Sequence, residues 1–583
     1  MSRPKIIIVG GGLAGLSATI KVAEAGFPVQ LFSVVPVRRS HSVCAQGGIN
    51  AAVNTKGEGD STWQHFDDSI YGGDFLANQT PVKNMCEAAP GIIYMLDRMG
   101  VMFNRTPEGL IDFRRFGGTL FNRTAFAGAT TGQQLLYALD EQVRRFETEG
   151  KVEKFEGWEF LSPIMDDSLV CRGMVAINLN TMEVRSFRGD AVVICTGGPG
   201  SLFGRSTNST ICTGSAASIC YQKGAIYANG EFVQVHPTAI PGEDKLRLMS
   251  ESIRGEGGRI WTYKDGKPWY FLEEWYPKYG NLVPRDVATR AIFKVVYDLK
   301  LGVDGKPQVY LDVSHLDPEM LRRKLEGVLE IYEKFVGDNP KKVPMRVFPA
   351  YHYSMGGLWI DFDQMTNIPG LFAAGESEYQ YHGANRLGAN SLISCIFGGL
   401  ITGPSVVRYI KGLSKFSETL DEDLFKRATQ TENEMNESLL KGESGINPHA
   451  LHEELGNWMT ENVTVVRYND RLRKTDEKIQ ELLEKYQKIS LPDRGSWANK
   501  ELLFARQLYN MLLLARVVTL GAWRRNESRG SHYKPDFPDR DDMNWLKTTK
   551  AKFAGADQEP QFSYEEVDTQ YIKPRPRRYD ASS

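Results

Sequence analysis

Cysteine is scarce in this sequence, and the cysteines that are present form no paired motif. The 583 residues include seven cysteines, an odd number, and no two of them are spaced as C-x-x-C. This usage is typical of a reducing compartment, because secreted disulfide frameworks use even sets of cysteines. The missing C-x-x-C pattern also argues against an iron–sulfur or zinc site, so we expect no metal site in this chain.

The sequence also lacks an excess of charge and an uninterrupted apolar run. Its formal net charge is −2, which gives no electrostatic basis for binding nucleic acid. The most apolar helix candidate, residues 502–520, contains Arg506, Asn510 and Arg516, which favours a buried core helix over a membrane span. A first strand near residue 6 leaves no room for a signal peptide. We therefore expect a soluble cytoplasmic protein that contacts a membrane only through a partner.

The chain opens with a pattern typical of nucleotide-binding proteins. An apolar run, Ile6–Val9, leads into a turn with Gly10, Gly12 and Gly15, and a second strand-like run covers residues 27–32. A strand, a glycine turn, a helix and a strand in this order place a pyrophosphate at the N-terminus of the helix. A G-x-G-x-x-G match alone is weak, and a turn without a nucleotide is the alternative, but the preceding strand strengthens the prediction.

The residues after the second strand favour FAD over NAD. NAD-binding proteins usually have an acidic residue at the end of this strand, where the chain has Ser33. A serine bonds the ribose more weakly than a carboxylate, so a dinucleotide with many further contacts is favoured. The segment from Arg39 to Gly48 then reads R-S-H-S-V-C-A-Q-G-G, which places His41 within reach of the ring end of the dinucleotide. A hydrogen-bonded structural histidine is the alternative.

This segment resembles the flavin-attachment segment of the succinate dehydrogenase and fumarate reductase flavoprotein subunits. In that family the histidine is joined covalently to the 8α carbon of FAD, a role that the resemblance carries onto His41. The resemblance extends to about Lys534 and is closest to the succinate:menaquinone type of Gram-positive bacteria. Relatives often have aspartate at the position of Ser215. The resemblance implies further FAD contacts at Gly10, Gly11, Gly12, Leu13, Ala14, Gly15, Ser33, Arg38, Arg39, Ser40, Ala45, Gln46, Gly47, Gly48, Ser215, Glu376, Ser391 and Leu392.

The order of the segments predicts an α/β fold with a divided nucleotide-binding unit. Apolar runs at residues 191–195 and 371–374 each end in a glycine turn, which is typical of strands of the same sheet. We predict a Rossmann-like FAD-binding domain with an inserted α+β capping domain, followed by a helical domain and a C-terminal extension. The predicted boundaries are 1–230 and 347–415 for the FAD-binding domain, 231–346 for the capping domain, 416–530 for the helical domain and 531–583 for the extension.

Two features define the C-terminal part of the chain. Apolar residues spaced by three or one predict one buried helix face, formed by Ile479, Leu482, Leu483, Tyr486 and Ile489. The end of the chain is basic and rich in proline, and we expect it to be extended.

The resemblance implies a site for a dicarboxylate, which needs two anion-binding groups that face each other. It assigns Arg386 and His352 to one carboxylate, and His236 and Ser250 to the other. Arginine suits this role because its planar guanidinium can donate two hydrogen bonds to one carboxylate. Many relatives have threonine in place of Ser250, and the hydroxyl donor is kept here.

The resemblance also implies how a proton leaves the substrate. It assigns the role of base to Arg285, although arginine ordinarily stays protonated. Glu251 and Arg254 are three residues apart, so they can share a helix face and form a proton relay with it. In the alternative, Arg285 only stabilises charge, and water or Glu251 is the base.

Together these features predict the flavoprotein subunit of a succinate:quinone oxidoreductase, which serves the tricarboxylic acid cycle and the respiratory chain. The resemblance implies an iron–sulfur subunit, a membrane cytochrome b anchor and a quinone, menaquinone, on the cytoplasmic face of the membrane. The alternatives are a soluble enzyme like L-aspartate oxidase, a stand-alone fumarate reductase and a non-catalytic flavin electron-transfer subunit. His41 argues against the first, the missing C-x-x-C-H motif against the second, and the complete set of site residues against the third.

Overall fold

Five parallel strands form the sheet that the N-terminal pattern predicts. The computed structural model describes residues 4–242, 246–443 and 445–579. The four residues of the central strand are all buried, as expected for a parallel sheet that is covered on both faces. The second strand begins at Val29 and not at Phe27. The strands lie side by side in the order Leu371–Ala373, Ala191–Ile194, Ile6–Val9, Val29–Ser33 and Val152–Glu156.

Two helices next to this sheet, Leu13–Glu24 and Asn390–Lys411, pack directly on each other. A Cβ atom on Gly399 would lie 2.3 Å from the carbonyl oxygen of Ala14, so only glycine allows this approach. Among the described residues, Asn390–Lys411 is the helix that is long and apolar enough to cross a membrane, and 72% of its most apolar window is buried. Its packing on a neighbouring helix accounts for that composition.

The prediction that residues 502–520 form the most apolar helix was therefore wrong. These residues belong to the helix Lys500–Arg524, whose polar side chains are nevertheless buried as expected. Arg516 lies 2.8 Å from Asp476, and Arg506 forms an ion pair with Glu432. The helix is thus a core element in which each buried guanidinium has a carboxylate partner.

An antiparallel sheet of six strands forms the cap. Four helices accompany it: Phe271–Trp275, Arg285–Phe293, Pro318–Lys324 and Glu326–Val336. The strand Met345–Ser354 crosses the predicted boundary at residue 346, so the cap sheet continues into the segment that was assigned to the FAD-binding domain. The strands lie in the order Arg247–Leu248, Val233–Ile240, Met345–Ser354, Val309–Asp312, Arg259–Lys264 and Lys267–Trp269.

The C-terminal part contains long helices and a strand pair. The helices are Glu422–Leu440, Pro448–Val463, Asn469–Tyr486 and Lys500–Arg524. The predicted helix face is buried, but the helix ends at Tyr486, so Ile489 lies beyond it. The strands Lys547–Lys552 and Gln561–Glu566 join a four-stranded sheet with Tyr227–Ala228 and Gly357–Leu358.

The remaining α-helices and strands of the described residues connect the elements named above. The helices are Thr62–Gly72, Gln79–Arg98, Thr131–Thr148, Ser215–Gln222, Ser252–Gly255 and Asp542–Trp545. The strands Ile49–Asn50, Thr124–Ala125 and Phe113–Arg114 form one small sheet, and Trp158–Met165, Cys171–Asn178 and Val184–Arg188 form another.

Candidate active site

The glycine turn after the first strand forms a cradle that a side chain would fill. Gly10 has φ +115°, and a Cβ atom there would lie 2.1 Å from the carbonyl oxygen of Cys195. A Cβ atom on Gly15 would lie 1.8 Å from the carbonyl oxygen of Gly10. The N-cap of the helix Leu13–Glu24 is Gly12, which makes no side-chain hydrogen bond, and Leu13 N donates to Ser42 Oγ at 3.4 Å. The N-terminus of such a helix is suited to an anion such as a pyrophosphate. These residues fit the dinucleotide that the sequence predicts.

Residues on both sides of the cradle come together around it. A Cβ atom on Gly11 would lie 3.2 Å from Ser33 Oγ, which places that hydroxyl at the end of the second strand beside the turn. Ser40 Oγ donates to the Gly11 carbonyl at 2.8 Å and fixes the start of the next segment. The Ser33 hydroxyl thus lies beside the turn, and its contact with a ribose remains a prediction.

Three other residues that were predicted to contact FAD are exposed or have partners within the protein. Arg38 Nε donates to Asp140 at 2.8 Å, and Arg39 is exposed. Ser215 begins a helix, and its hydroxyl accepts from Thr213 at 3.1 Å. The FAD contacts of these three residues remain predictions.

The segment after His41 is held by Arg114, which the sequence did not suggest. The Arg114 guanidinium is buried and donates to the carbonyl oxygens of Gln46 and Gly47, and Gly132 N donates to the Ala45 carbonyl at 2.8 Å. Gly48 has φ +140°, a backbone conformation that favours glycine. Hydrogen bonds from Arg114 and Gly132 and the backbone conformation of Gly48 therefore hold this segment in place.

His41 lies beside the residues assigned to the substrate. Its Nδ1 accepts from Ser209 N at 3.3 Å, and its Nε2 is 3.5 Å from Asn208 Nδ2. Asn208 Nδ2 also donates to the His352 carbonyl at 2.9 Å. One amide group thus links the predicted attachment histidine to the predicted substrate residue.

Three buried arginines converge with one buried glutamate. Arg285 Nε donates to Glu251 Oε2 at 2.5 Å, and Arg254 donates to Glu251 Oε1 at 3.1 Å. Gln234 Oε1 accepts from both Arg285 and Arg386 at 2.9 Å. All five side chains are buried. Three guanidinium groups and one carboxylate leave two positive charges without a partner in this cluster.

The two histidines assigned to the substrate lie next to each other, and their surroundings favour the neutral form. Their ring centroids are 5.0 Å apart. Burial, together with the positive charge of Arg285, lowers the pKa of both His236 and His352 well below the usual value. Thr238 N donates to His236 Nδ1 at 3.2 Å, so the single proton of the neutral ring is on Nε2. This Nε2 is buried and has no partner among the described residues, which suits it to donate to a ligand.

The electrostatics of the remaining groups follow from burial. Burial lowers the pKa of Arg386 to about 9, and repulsion from Arg285 contributes. Burial also raises the pKa of Glu376 to about 8, so this carboxyl group is mostly protonated at neutral pH. Glu376 accepts from Ser354 N at 2.9 Å and adds little negative charge to the site.

The last predicted residues lie at the edges of this cluster. Ser250 is buried, and its hydroxyl accepts from Ser252 N and Ser252 Oγ at 3.2 and 2.8 Å. Ser391 and Leu392 lie in the first turn of the helix Asn390–Lys411. The structure therefore brings the seven predicted catalytic and substrate residues to one region, at the contact between the cap and the parallel sheet.

Comparisons with known proteins agree with this architecture. The model of the FAD binding domain matches residues 5–392, and that of the fumarate reductase flavoprotein C-terminal domain matches residues 452–579. The succinate dehydrogenase flavoprotein subunit of Bacillus subtilis is 66% identical over 99% of both chains. The fumarate reductase flavoprotein subunit of Escherichia coli is 34% identical over 98% of this chain and 95% of its own length. A solved mutant of E. coli quinol fumarate reductase has a TM-score of 0.91 at 32% identity and covers 99% of this chain and 98% of its own.

The chain belongs to the succinate dehydrogenase and fumarate reductase flavoprotein family. This membership confirms the family resemblance, the α/β fold class with its FAD-binding domain, and FAD as the type of cofactor. The roles of the individual site residues remain predictions.

Several polar residues of the site were not predicted from the sequence. Gln234 stands two residues before His236 on the same strand, and strand periodicity puts both on one face. That spacing is the signal that could have found Gln234. Asn208 and Arg114 lie far along the chain from their contacts, and no local pattern marks them.

We expect Gln234→Leu to lower kcat/KM by about 10²- to 10⁴-fold, because two buried guanidinium groups each lose a hydrogen bond that contributes about 1.5–3 kcal/mol. Steady-state kinetics with dicarboxylate substrates measure this loss. Gln430→Leu makes the same chemical change on an exposed helix surface and serves as the control. Equal kinetics for the two variants would show that Gln234 does not order the arginines.

Proposed function

We propose that this chain is the catalytic flavoprotein subunit of a succinate:quinone oxidoreductase and interconverts succinate and fumarate. The observation that carries the proposal is the buried cluster in which Arg254 and Arg285 bind the single carboxylate of Glu251, and Arg386 shares the Gln234 oxygen with Arg285. A small dicarboxylate supplies the two negative charges that this cluster lacks. The names of the relatives at 66% and 34% identity, a succinate dehydrogenase and a fumarate reductase subunit, support this assignment.

In this proposal two pairs of residues hold the two carboxylates of the substrate. Arg386 and His352 bind one carboxylate, and His236 and Ser250 bind the other. Two observations support the pairing: Arg386 Nε and His236 Nε2 are both buried without a partner among the described residues. Buried donors of this kind are costly unless a ligand accepts from them.

FAD is held by the glycine cradle and attached covalently to His41 in this proposal. The first amides of the helix Leu13–Glu24 bind the pyrophosphate, and Ser33 bonds the ribose. Bound FAD would supply the hydride acceptor for succinate oxidation and the hydride donor for the reverse reaction. The link through Asn208 between His41 and His352 supports a ring position beside the substrate.

The substrate proton is transferred to Arg285 in this proposal. Arginine is protonated at ordinary pH, so Arg285 must first give up a proton to act as a base. Glu251 accepts from Arg285 Nε at 2.5 Å and can receive that proton. Arg254, on the other oxygen of Glu251, stabilises the carboxylate while Glu251 is charged. It takes the proton from protonated Glu251 only as it loses one of its own protons to solvent, so each group of the relay ends in its starting state. In the reverse reaction Arg285 is the acid.

The remaining inferences concern the assembly around this chain. We infer that electrons pass to an iron–sulfur subunit and then to menaquinone through a membrane cytochrome b anchor. We also infer that the complex lies on the cytoplasmic side of the membrane. In support, the B. subtilis relative is named as a subunit, and a structural relative with a TM-score of 0.90 is a quinol–fumarate reductase solved with menaquinol.

We expect His41→Ser to retain FAD, lose succinate oxidation and keep part of its fumarate reduction, because covalent attachment in this family goes with a raised flavin potential. Peptide mass spectrometry of the natively expressed complex shows whether the His41 peptide carries FAD, and succinate-dependent dye reduction measures the activity. His449→Ser, at an exposed helix position, should change neither the FAD attachment nor the succinate oxidation. Full succinate oxidation by His41→Ser would refute the role of the attachment.

We expect Arg285→Lys and Glu251→Gln each to lower kcat by about 10²- to 10⁴-fold, the usual contribution of a positioned acid or base. FAD content should stay at the level of the unchanged complex. Arg322→Lys, on an exposed helix of the cap, is the matched control. A kcat within twofold of the unchanged enzyme for Arg285→Lys would remove this residue from the proton path.

A further inference from the structure

The last described residues, 575–579, form a strap that connects the helix Thr62–Gly72 of the FAD-binding half with the helix Arg285–Phe293 of the cap. Arg575 donates to both carboxylate oxygens of Asp67, at 2.9 and 2.6 Å, on the helix Thr62–Gly72 of the FAD-binding half. The Tyr71 hydroxyl of the same helix accepts from Arg578 N at 2.7 Å and donates to the Arg578 carbonyl at 2.9 Å. The strap therefore has a fixed path over this helix.

Between these two contacts, Arg577 reaches into the cap. Its guanidinium donates to the two carboxylate oxygens of Asp286 at 2.6 and 2.9 Å. The two side chains are only 6% and 1% exposed, so water screens the pair weakly. Burial raises the pKa of Asp286, but Arg577 and Arg290 outweigh this effect and the resulting pKa is about 2. Removing Arg577 leaves the buried carboxylate with Arg290 alone, at 3.3 Å, and without the paired hydrogen bonds that fix its orientation.

Aromatic rings cover the pair on the outside. The Tyr579 ring packs edge-on against Tyr71 and Tyr279, with centroids 5.5 and 5.1 Å apart. The Arg577 guanidinium lies 5.0 Å from the centre of the Tyr579 ring. This packing orders the planar guanidinium and keeps its two hydrogen bonds to Asp286 in one geometry.

A chain of hydrogen bonds leads from Asp286 to the site arginines. Asp286 Oδ1 accepts from Asn385 Nδ2 at 3.1 Å, and Asn385 Oδ1 accepts from Gln234 Nε2 at 2.9 Å. Gln234 Oε1 is the acceptor that Arg285 and Arg386 share. Asp286 also follows Arg285 directly, and Asn385 precedes Arg386. The carboxylate thus restrains both arginines through the backbone as well as through the amides.

We propose that Arg577 is a positioning residue: by holding the Asp286 carboxylate against Asn385, it fixes Gln234 and the two arginines that face the substrate. Arg577 touches neither the substrate residues nor the flavin cradle, so its effect is indirect. The inference rests on the roles proposed above for Arg285 and Arg386.

The chain offers a matched control for this proposal in the next residue. Arg578 is exposed, and its described hydrogen bonds are made by its backbone. Arg578→Met removes the same charge from the same strap, one position away. A difference between the two variants therefore reports the pairing with Asp286 and not the charge of the strap.

The first experiment compares Arg577→Met, Arg577→Lys and Arg578→Met in the intact complex, by steady-state succinate oxidation, FAD content and thermal unfolding. We expect Arg577→Met to lower kcat about 10-fold or more, because small displacements of positioned groups have effects up to about 100-fold. The kcat of Arg577→Lys should lie between those of Arg577→Met and the unchanged complex, since lysine keeps the charge but loses the paired hydrogen bonds. Arg578→Met should match the unchanged complex. Equal kcat for Arg577→Met and Arg578→Met would overturn the proposal.

A double-mutant cycle with Asp286→Asn separates positioning from a general loss of stability. If Arg577 acts through Asp286, the double variant has about the same kcat as Asp286→Asn alone, because the interaction is already lost. The proposal would be overturned if the loss of kcat in the double variant were the product of the losses in the two single variants. It would also be overturned if a lower assay temperature alone restored the kcat of Arg577→Met. Full activity in Arg285→Lys would instead refute the proposed proton path. The coupling between Arg577 and Asp286 could still be measured in that case, so the two failures are distinguishable.

Discussion

The site depends on one constraint: three buried guanidinium groups are held close together with a single carboxylate. Moving charges out of water is costly, and like charges that are close together repel each other. The structure reduces this cost with fixed oxygen acceptors, including Gln234 Oε1 for Arg285 and Arg386 and two backbone carbonyls for Arg254. Arg386 also lies 4.5 Å from the centre of the Tyr353 ring. A bound dicarboxylate completes the compensation, which ties the charge of the cluster to its proposed function.

The same constraint explains how the surrounding elements are arranged. Arg285 is the first residue of its helix, where a positive charge meets the positive end of the helix dipole. Asp286, in the same first turn, offsets this effect and is itself held by Arg577. Gln234 and His236 come from a strand of the cap, whereas His41 comes from the parallel sheet side. The site residues therefore come from both the cap and the FAD-binding half, and the C-terminal Arg577 acts on them through Asp286.

Local patterns predicted the parts of the fold that local physics determines. The glycine turn follows from steric limits at Gly10 and Gly15, and the buried helix face from the spacing of Ile479, Leu482 and Leu483. The family resemblance supplied the site residues, which composition and spacing alone do not give. Contacts across the chain were beyond prediction because topology creates them: Gln234 and Arg386 are 152 residues apart in sequence, and Arg577 and Asp286 are 291 apart.

The site binds a dianion, in this proposal, because its buried groups leave two positive charges unpaired. The most direct measurement compares the dissociation constants of succinate and its monoamide, succinamate, for the FAD-loaded complex, followed by flavin absorbance. We expect succinamate to bind about 10- to 100-fold more weakly, because one charge-assisted interaction of about 1.5–3 kcal/mol is lost. Equal affinity for the two compounds would contradict it.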